Sequence, residues 1–165
     1  MSSPEHKELI WNLIKEVKVG MMVTKAQDND SMHGRPMQLV QDAYDGMLYF
    51  YTSKKASKTF EINKDRDVCL TFADPNDKVY VSLSGKATLS EDKELIDRYW
   101  NSYVGAWFEN GKEDEDVAIL KVKIERGEHW DSNKNKLVQL YEVAKSQIDS
   151  SSTPNLGENE KFGVN

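Results

Sequence analysis

Two short segments carry most of the side chains able to do chemistry. Arg35 stands directly before Pro36-Met37-Gln38, and Thr52-Ser53-Lys54-Lys55-Ala56-Ser57-Lys58 follows an apolar run ending in Tyr51. A guanidinium offers a phosphate a planar fork of donors, an ammonium offers a point charge, and hydroxyls add neutral donors. Where a strand runs into a short helix, unpaired backbone N–H groups add partial positive charge. Arg35, Lys58, Thr52 and Ser53 could together bind a phosphate monoester. A solvated basic surface on an acidic protein explains the same charges, and both readings stay open.

Other chemistries find little support. His6, His33 and His129 are far apart, with no HExxH or CxxC pattern, so no metal site is expected. Cys69 sits between Val68 and Leu70 in a β-prone run and reads as a small buried hydrophobe. No nucleophile elbow or phosphate-binding glycine loop is present. Trp100, Tyr103, Trp107 and Phe108 form an aromatic group that fits a core, while Trp107-Phe108 also fits a stacking wall because a polar loop follows it.

The elements that must position these residues are mostly strands. Residues 4–18 read as an amphipathic helix, with Ser3-Pro4 at its start and Leu9, Ile10, Leu13, Ile14 and Val17 on one stripe. Strands are expected at 20–24, 33–41, 47–52, 68–72, 79–84 and 117–124, the last extended by 128–131 after a bend at Gly127. Pro36 makes its strand an edge, a bulge or a functional interruption, because proline cannot donate to a ladder. Asp45-Gly46 is a hairpin signal. Helices are expected at 56–63, from a Ser90 cap to about Trp100, and at 138–148. Six or more strands with helices at the ends and between point to a small antiparallel barrel, closed or partly open, and not to a parallel sheet.

The chain has 165 residues, a net charge of −6, 38% apolar and 30% charged residues, and one cysteine. That length is one domain's worth. The acidic balance argues against nucleic-acid binding, which depends on neutralising phosphates with Lys and Arg. No apolar run approaches the ~20 residues a membrane span needs, and the N-terminus lacks a secretory h-region. A cytoplasmic protein is expected, one that gains some burial from a partner subunit.

The motifs together resemble a known family. Arg35-Pro36-Met37-Gln38, Phe50 to Lys58, and Val79 to Ala87 resemble the pyridoxamine 5'-phosphate oxidase-like, FMN-binding split β-barrel superfamily. Trp107-Phe108 with Gly111, Asp114-Glu115-Asp116, Glu128-His129-Trp130-Asp131 and Leu156-Gly157-Glu158-Asn159 resemble its general stress protein branch. The resemblance implies a mainly β fold with flanking helices: an antiparallel, Greek-key-like split barrel over residues 1–149, with a polar tail at 150–165 packed on it. It implies a homodimer with FMN at the subunit interface. Arg35 and Lys58 would hold the FMN phosphate. Pro36, Met37 and Gln38 would line the flavin ring, and Tyr51, Thr52 and Ser53 would contact flavin and phosphate. Tyr80, Val81 and Trp130 would come from the partner subunit.

The resemblance does not extend to the full substrate site of the B6-phosphate oxidase. Arg98, Ser102, Gly105, Ala106 and Trp107 match one half of it, but Val40 stands near the expected lysine and residues 131–141 contain no arginine or histidine. No catalytic residue is carried over. The implied function is a flavin-dependent oxidoreductase of unknown substrate, with NAD(P)H or another small redox partner. A non-catalytic flavin carrier or stress sensor is the alternative, and a deazaflavin or haem on the same barrel is a third.

Overall fold

The computed structural model describes residues 4–26, 30–56, 62, 66–131 and 158–163. The elements in chain order are α1 (Pro4–Ile14), β1 (Val19–Lys25), β2 (Met32–Gln38), β3 (Leu48–Ser53), β4 (Asp67–Asp74), β5 (Val79–Ser90), α2 (Lys93–Tyr99), α3 (Ser102–Gly105), β6 (Val117–Asp131) and β7 (Glu158–Gly163). The expected helices at 56–63 and 138–148 lie outside the described residues, except for Ile62, which is buried.

All strand pairs are antiparallel, in the order β2-β1-β4-β5-β6-β3, with β7 on the free edge of β6. The sheet curls into a half-barrel around one apolar interior. Alternation decides what faces inward. Met22 on β1, Leu70 and Phe72 on β4, and Val81 and Leu83 on β5 point into a cluster that also takes Leu48 and Phe50 of β3. Ile10 and Ile14 of α1, one helical turn apart and fully buried, pack into the same cluster. A second cluster forms on the other face of β3, where Tyr49 packs with Leu95, Ile96, Val104, Phe108 and Ile119. β3 is therefore covered on both sides, which is why its sequence reads as an almost continuous apolar run.

The sheet leaves a seam. β2 pairs only with β1, and β3 pairs with β6, so β2 and β3 face each other as unpaired edges. The Asp45-Gly46 hairpin is thus overturned. A buried side chain prevents it: the Gln41 amide donates to Ala43 O (3.1 Å) and Met47 O (2.8 Å), and its oxygen accepts from Tyr49 N (2.9 Å). This organises residues 39–47 into a loop that carries the chain across the seam.

Three smaller differences have local causes. α1 stops at Ile14, and Lys18, with a left-handed φ of 64°, closes its end by donating to Ile14 O. The cap of α2 is Asp92, whose carboxylate accepts from Glu94 N (3.0 Å), while Ser90 accepts from Asp92 N (3.3 Å) as the preceding turn. β6 is one continuous strand whose irregularity lies two residues before Gly127. Ser84 pairs Arg126 and Gly85 pairs Ile124, which leaves Glu125 as the extra residue of a bulge. The tail also departs from its disorder-prone composition, since Glu158–Gly163 pairs with Asp131–Arg126 of β6. No helix among the described residues is long and apolar enough to cross a membrane.

Candidate functional site

The seam opens into a cavity of about 350 Å³, within the usual range of ~300–1,000 Å³ for small-molecule sites. Pro36, Met37 and Gln38 line it from β2, Tyr51, Thr52 and Ser53 from β3, and Val19, Val40, Tyr103, Val104, Trp107 and Phe108 complete the wall. Six of the eleven expected site residues thus meet in one place, although Pro36–Gln38 and Tyr51–Ser53 share no ladder.

The edge of β2 supplies backbone groups to this cavity. Leu39 N donates to Lys18 O (2.8 Å), at the end of the β1–β2 pairing. In an antiparallel pair, alternate residues turn both backbone groups toward the partner. Arg35, Met37 and Leu39 therefore face β1, while Pro36 and Gln38 turn their backbone groups toward the seam. Pro36 costs the ladder nothing here, since its missing N–H would point away from β1. Gln38 is left presenting one donor and one acceptor on the edge.

On β3 the polar groups are more committed. Ser53 Oγ donates to Asp116 Oδ2, and Lys55 N donates to Asp116 Oδ1 (3.0 Å) and to Ser53 Oγ (3.2 Å). The Ser53 hydroxyl bond chiefly, with help from Lys55 and Lys54, holds the Asp116 carboxyl below its ordinary range. Lys54 is ion-paired with Glu91. Tyr51 donates its hydroxyl to Ile96 O and meets the Trp100 ring edge-on at 5.8 Å. Burial, then the Asp97 charge, raises the Tyr51 pKa, so it remains a neutral phenol.

Arg35 stands one residue before the cavity lining, and its guanidinium donates to the buried Thr24 hydroxyl. Lys58 lies outside the described residues. Tyr80 and Trp130 are directly paired across β5 and β6 and are 42% and 41% exposed on the outer sheet face. Val81 points the other way, into the core. These three do not line the cavity of their own chain.

Sequence reasoning did not anticipate Val19, Val40, Tyr103 or Val104. Val19 was legible only through its register with Gln38. Trp107 and Phe108 divide the two roles offered for them: Phe108 is buried and Trp107 is 72% exposed, yet both line the cavity. Trp100 packs against Tyr51 and Phe108.

The described lining has no carboxylate, imidazole, thiol, amine or guanidinium. Among the described residues no group of three His, Cys, Asp or Glu could hold a metal ion. The cavity can bind and orient a flat, largely apolar molecule through aromatic walls, a backbone donor and acceptor, and hydroxyls at one end. Among the described residues, the phenols of Tyr51 and Tyr103 are its only titratable side chains.

The family described as "Pyridoxamine 5'-phosphate oxidase like" matches residues 5–155. General stress protein 26 of Bacillus subtilis is 30% identical over 132 residues, 76% of this chain and 88% of that protein. Protein bli-3 of Neurospora crassa is 26% identical over 140 residues, 79% of this chain and 67% of that protein. The crystal structure of the general stress FMN/FAD binding protein from Xanthomonas citri superposes with a TM-score of 0.69 at 27% identity, covering 81% of this chain and 93% of that one.

Proposed function

The chain belongs to the pyridoxamine 5'-phosphate oxidase-like family, in its general stress protein branch, and on that footing we propose that it is an FMN-dependent oxidoreductase working as a homodimer. The seam cavity carries this reading. Its size, the rings of Tyr51 and Phe108 and the outward-turned backbone of Pro36 and Gln38 fit a planar heterocycle that both donates and accepts hydrogen bonds. The Xanthomonas citri neighbour is described as FMN/FAD binding, which supports the same cofactor here.

Bound FMN would supply the electron chemistry, exchanging a hydride or single electrons with small partners. The chain's part is to hold and shield. Gln38 offers its backbone N–H and C=O, while Pro36 and Met37 pack beside them. Arg35 and Lys58 would neutralise the phosphate, with Thr52 supplying a hydroxyl. Because Ser53 donates to Asp116, its oxygen remains only an acceptor, which suits a ligand hydroxyl better than a phosphate.

A second copy is proposed on the outer sheet face. Val19 and Met21 of β1 lie on the same side as Tyr80 and Trp130, and all four are exposed. Covering such a patch is the ordinary reason to dimerise. Tyr80, the backbone of Val81 and Trp130 would then serve the partner's site. The polar tail after residue 149 would pack on the barrel through β7, and the assembly would work in the cytoplasm.

A described lining without a carboxylate, imidazole or amine equally suits a flavin carrier or sensor without turnover. An absorption spectrum of the purified protein tests the cofactor, since flavin, deazaflavin and haem absorb differently. Bleaching by NAD(P)H without oxygen, then recovery on adding an acceptor, is expected for the oxidoreductase. Bound flavin that no donor bleaches would leave the carrier reading.

A further inference from the structure

Two large aromatic residues at the cavity are exposed far beyond what packing needs. Tyr103 is 55% and Trp107 is 72% exposed, and both line the cavity. They are not surface accidents on a loose loop. Asn101 caps α3 by accepting from Val104 N (2.9 Å), and Trp107 N donates to Val104 O (3.0 Å) as the turn continues. Val104 and Phe108, each one residue further along, are buried in the β3–α2 cluster and fix the turn from below. Tyr103 and Trp107 therefore reach the cavity from one short turn, which the buried Val104 and Phe108 anchor.

What would cover them follows from charge and shape. No charged side chain lines the cavity among the described residues. Arg98 and Ser102, the two members of the oxidase-like half-site able to bind a phosphate, are both exposed and neither lines it, whereas Trp107 of the same segment does. Rigid aromatic faces in a described lining without charged side chains favour a flat, neutral ring, which stacks on them and exposes no ion to desolvation.

We infer that Tyr103 and Trp107 form a docking wall for the second ligand of the site, a planar, uncharged aromatic compound. This rests on the flavoprotein reading above and names the class of its redox partner. The wall is a specificity device: it selects ring shape and takes no part in proton transfer.

The test is equilibrium binding of naphthoquinone to the full-length protein as purified, with its ring-saturated dione counterpart as control. Wild type is expected to bind naphthoquinone and to discriminate against the control. Trp107→Leu combined with Tyr103→Leu is expected to weaken naphthoquinone binding about tenfold, while Trp107→Phe, which keeps a ring, retains most of it. Unchanged affinity in the double variant, or equal loss in Trp107→Phe and Trp107→Leu, would overturn the inference. So would conversion of the Trp107→Leu protein from dimer to monomer, which would assign the rings to the subunit contact. A separate FMN titration of wild type reports on the flavoprotein reading alone: if FMN binds and naphthoquinone does not, only the docking wall fails.

Discussion

Replacing Gly85 by alanine tests the bulge that brings Tyr80 and Trp130 into register. A Cβ at Gly85 would lie 2.1 Å from Lys123 O, 2.9 Å from Lys123 C and 3.1 Å from Ile124 Cα. Carbon and carbonyl oxygen normally meet at ~3.3 Å, so the overlap is about 1 Å. All three atoms belong to the backbone of β6, so no rotamer relieves it. The strands must part locally, which stretches the flanking ladder bonds beyond use. Two lost bonds at ~1 kcal/mol each, with at least ~1 kcal/mol of overpacking, give about 3 kcal/mol. At roughly 2–4 °C per kcal/mol for a domain of this size, the melting temperature should fall by about 6–12 °C. Thermal melts followed by circular dichroism measure this. Gly34→Ala is the control, because its Cβ would meet only side-chain atoms, Met21 Cε at 3.5 Å and Val23 Cγ2 at 3.6 Å. That variant should stay within about 0.5 kcal/mol of wild type. A Gly85→Ala protein melting within about 2 °C of wild type, or no lower than the Gly34→Ala control, would refute the close approach of β5 and β6.

Arg35→Ala should weaken FMN binding by about 1.5–3 kcal/mol, the usual scale for a hydrogen bond to a charged group, read by fluorescence titration; full affinity in the variant would remove Arg35 from the phosphate anchor. Trp130→Phe should keep the dimer in light scattering yet lose part of the indole quenching that FMN addition causes in wild type, and an identical quench in both proteins would place Trp130 away from the flavin. Asp116→Asn should destabilise the fold by about 1 kcal/mol at neutral pH, since the Ser53 hydroxyl and Lys55 N–H lose a charged acceptor. The folded-state pKa of Asp116 is depressed, so its contribution is present above the unfolded value of ~3.9 and fades as pH falls through the lower folded value. Melts at neutral and strongly acidic pH should therefore show the gap between variant and wild type closing in acid.

Much of the barrel was written locally in the sequence. Period-two alternation in Val68–Phe72 and Val79–Ser84 predicted both β4 and β5, because each strand has one face in the core and one outside. Pro36 left an edge, a bulge or a functional interruption open for a reason internal to proline, and the fold decides for the edge. The cations and hydroxyls at 35 and 52–58 could be read as candidate ligands from residue type alone. What strand propensity cannot state is partner choice. Asp45-Gly46 has hairpin chemistry, yet β3 pairs with β6 some seventy residues later, because Gln41 is buried and takes the loop's backbone groups for itself. The cavity exists only because that long-range pairing leaves β2 and β3 facing each other unjoined. The same holds for Ser53, whose hydroxyl is spoken for by Asp116 across the fold, and for Tyr103 and Trp107, whose exposure is decided by the anchoring of Val104 and Phe108 against β3 and α2. Residue types and their short-range periodicity are local and additive, so they survive in a linear reading. Which polar group is already satisfied, and which ring is left uncovered, depends on contacts distant in sequence, and only the folded chain decides them.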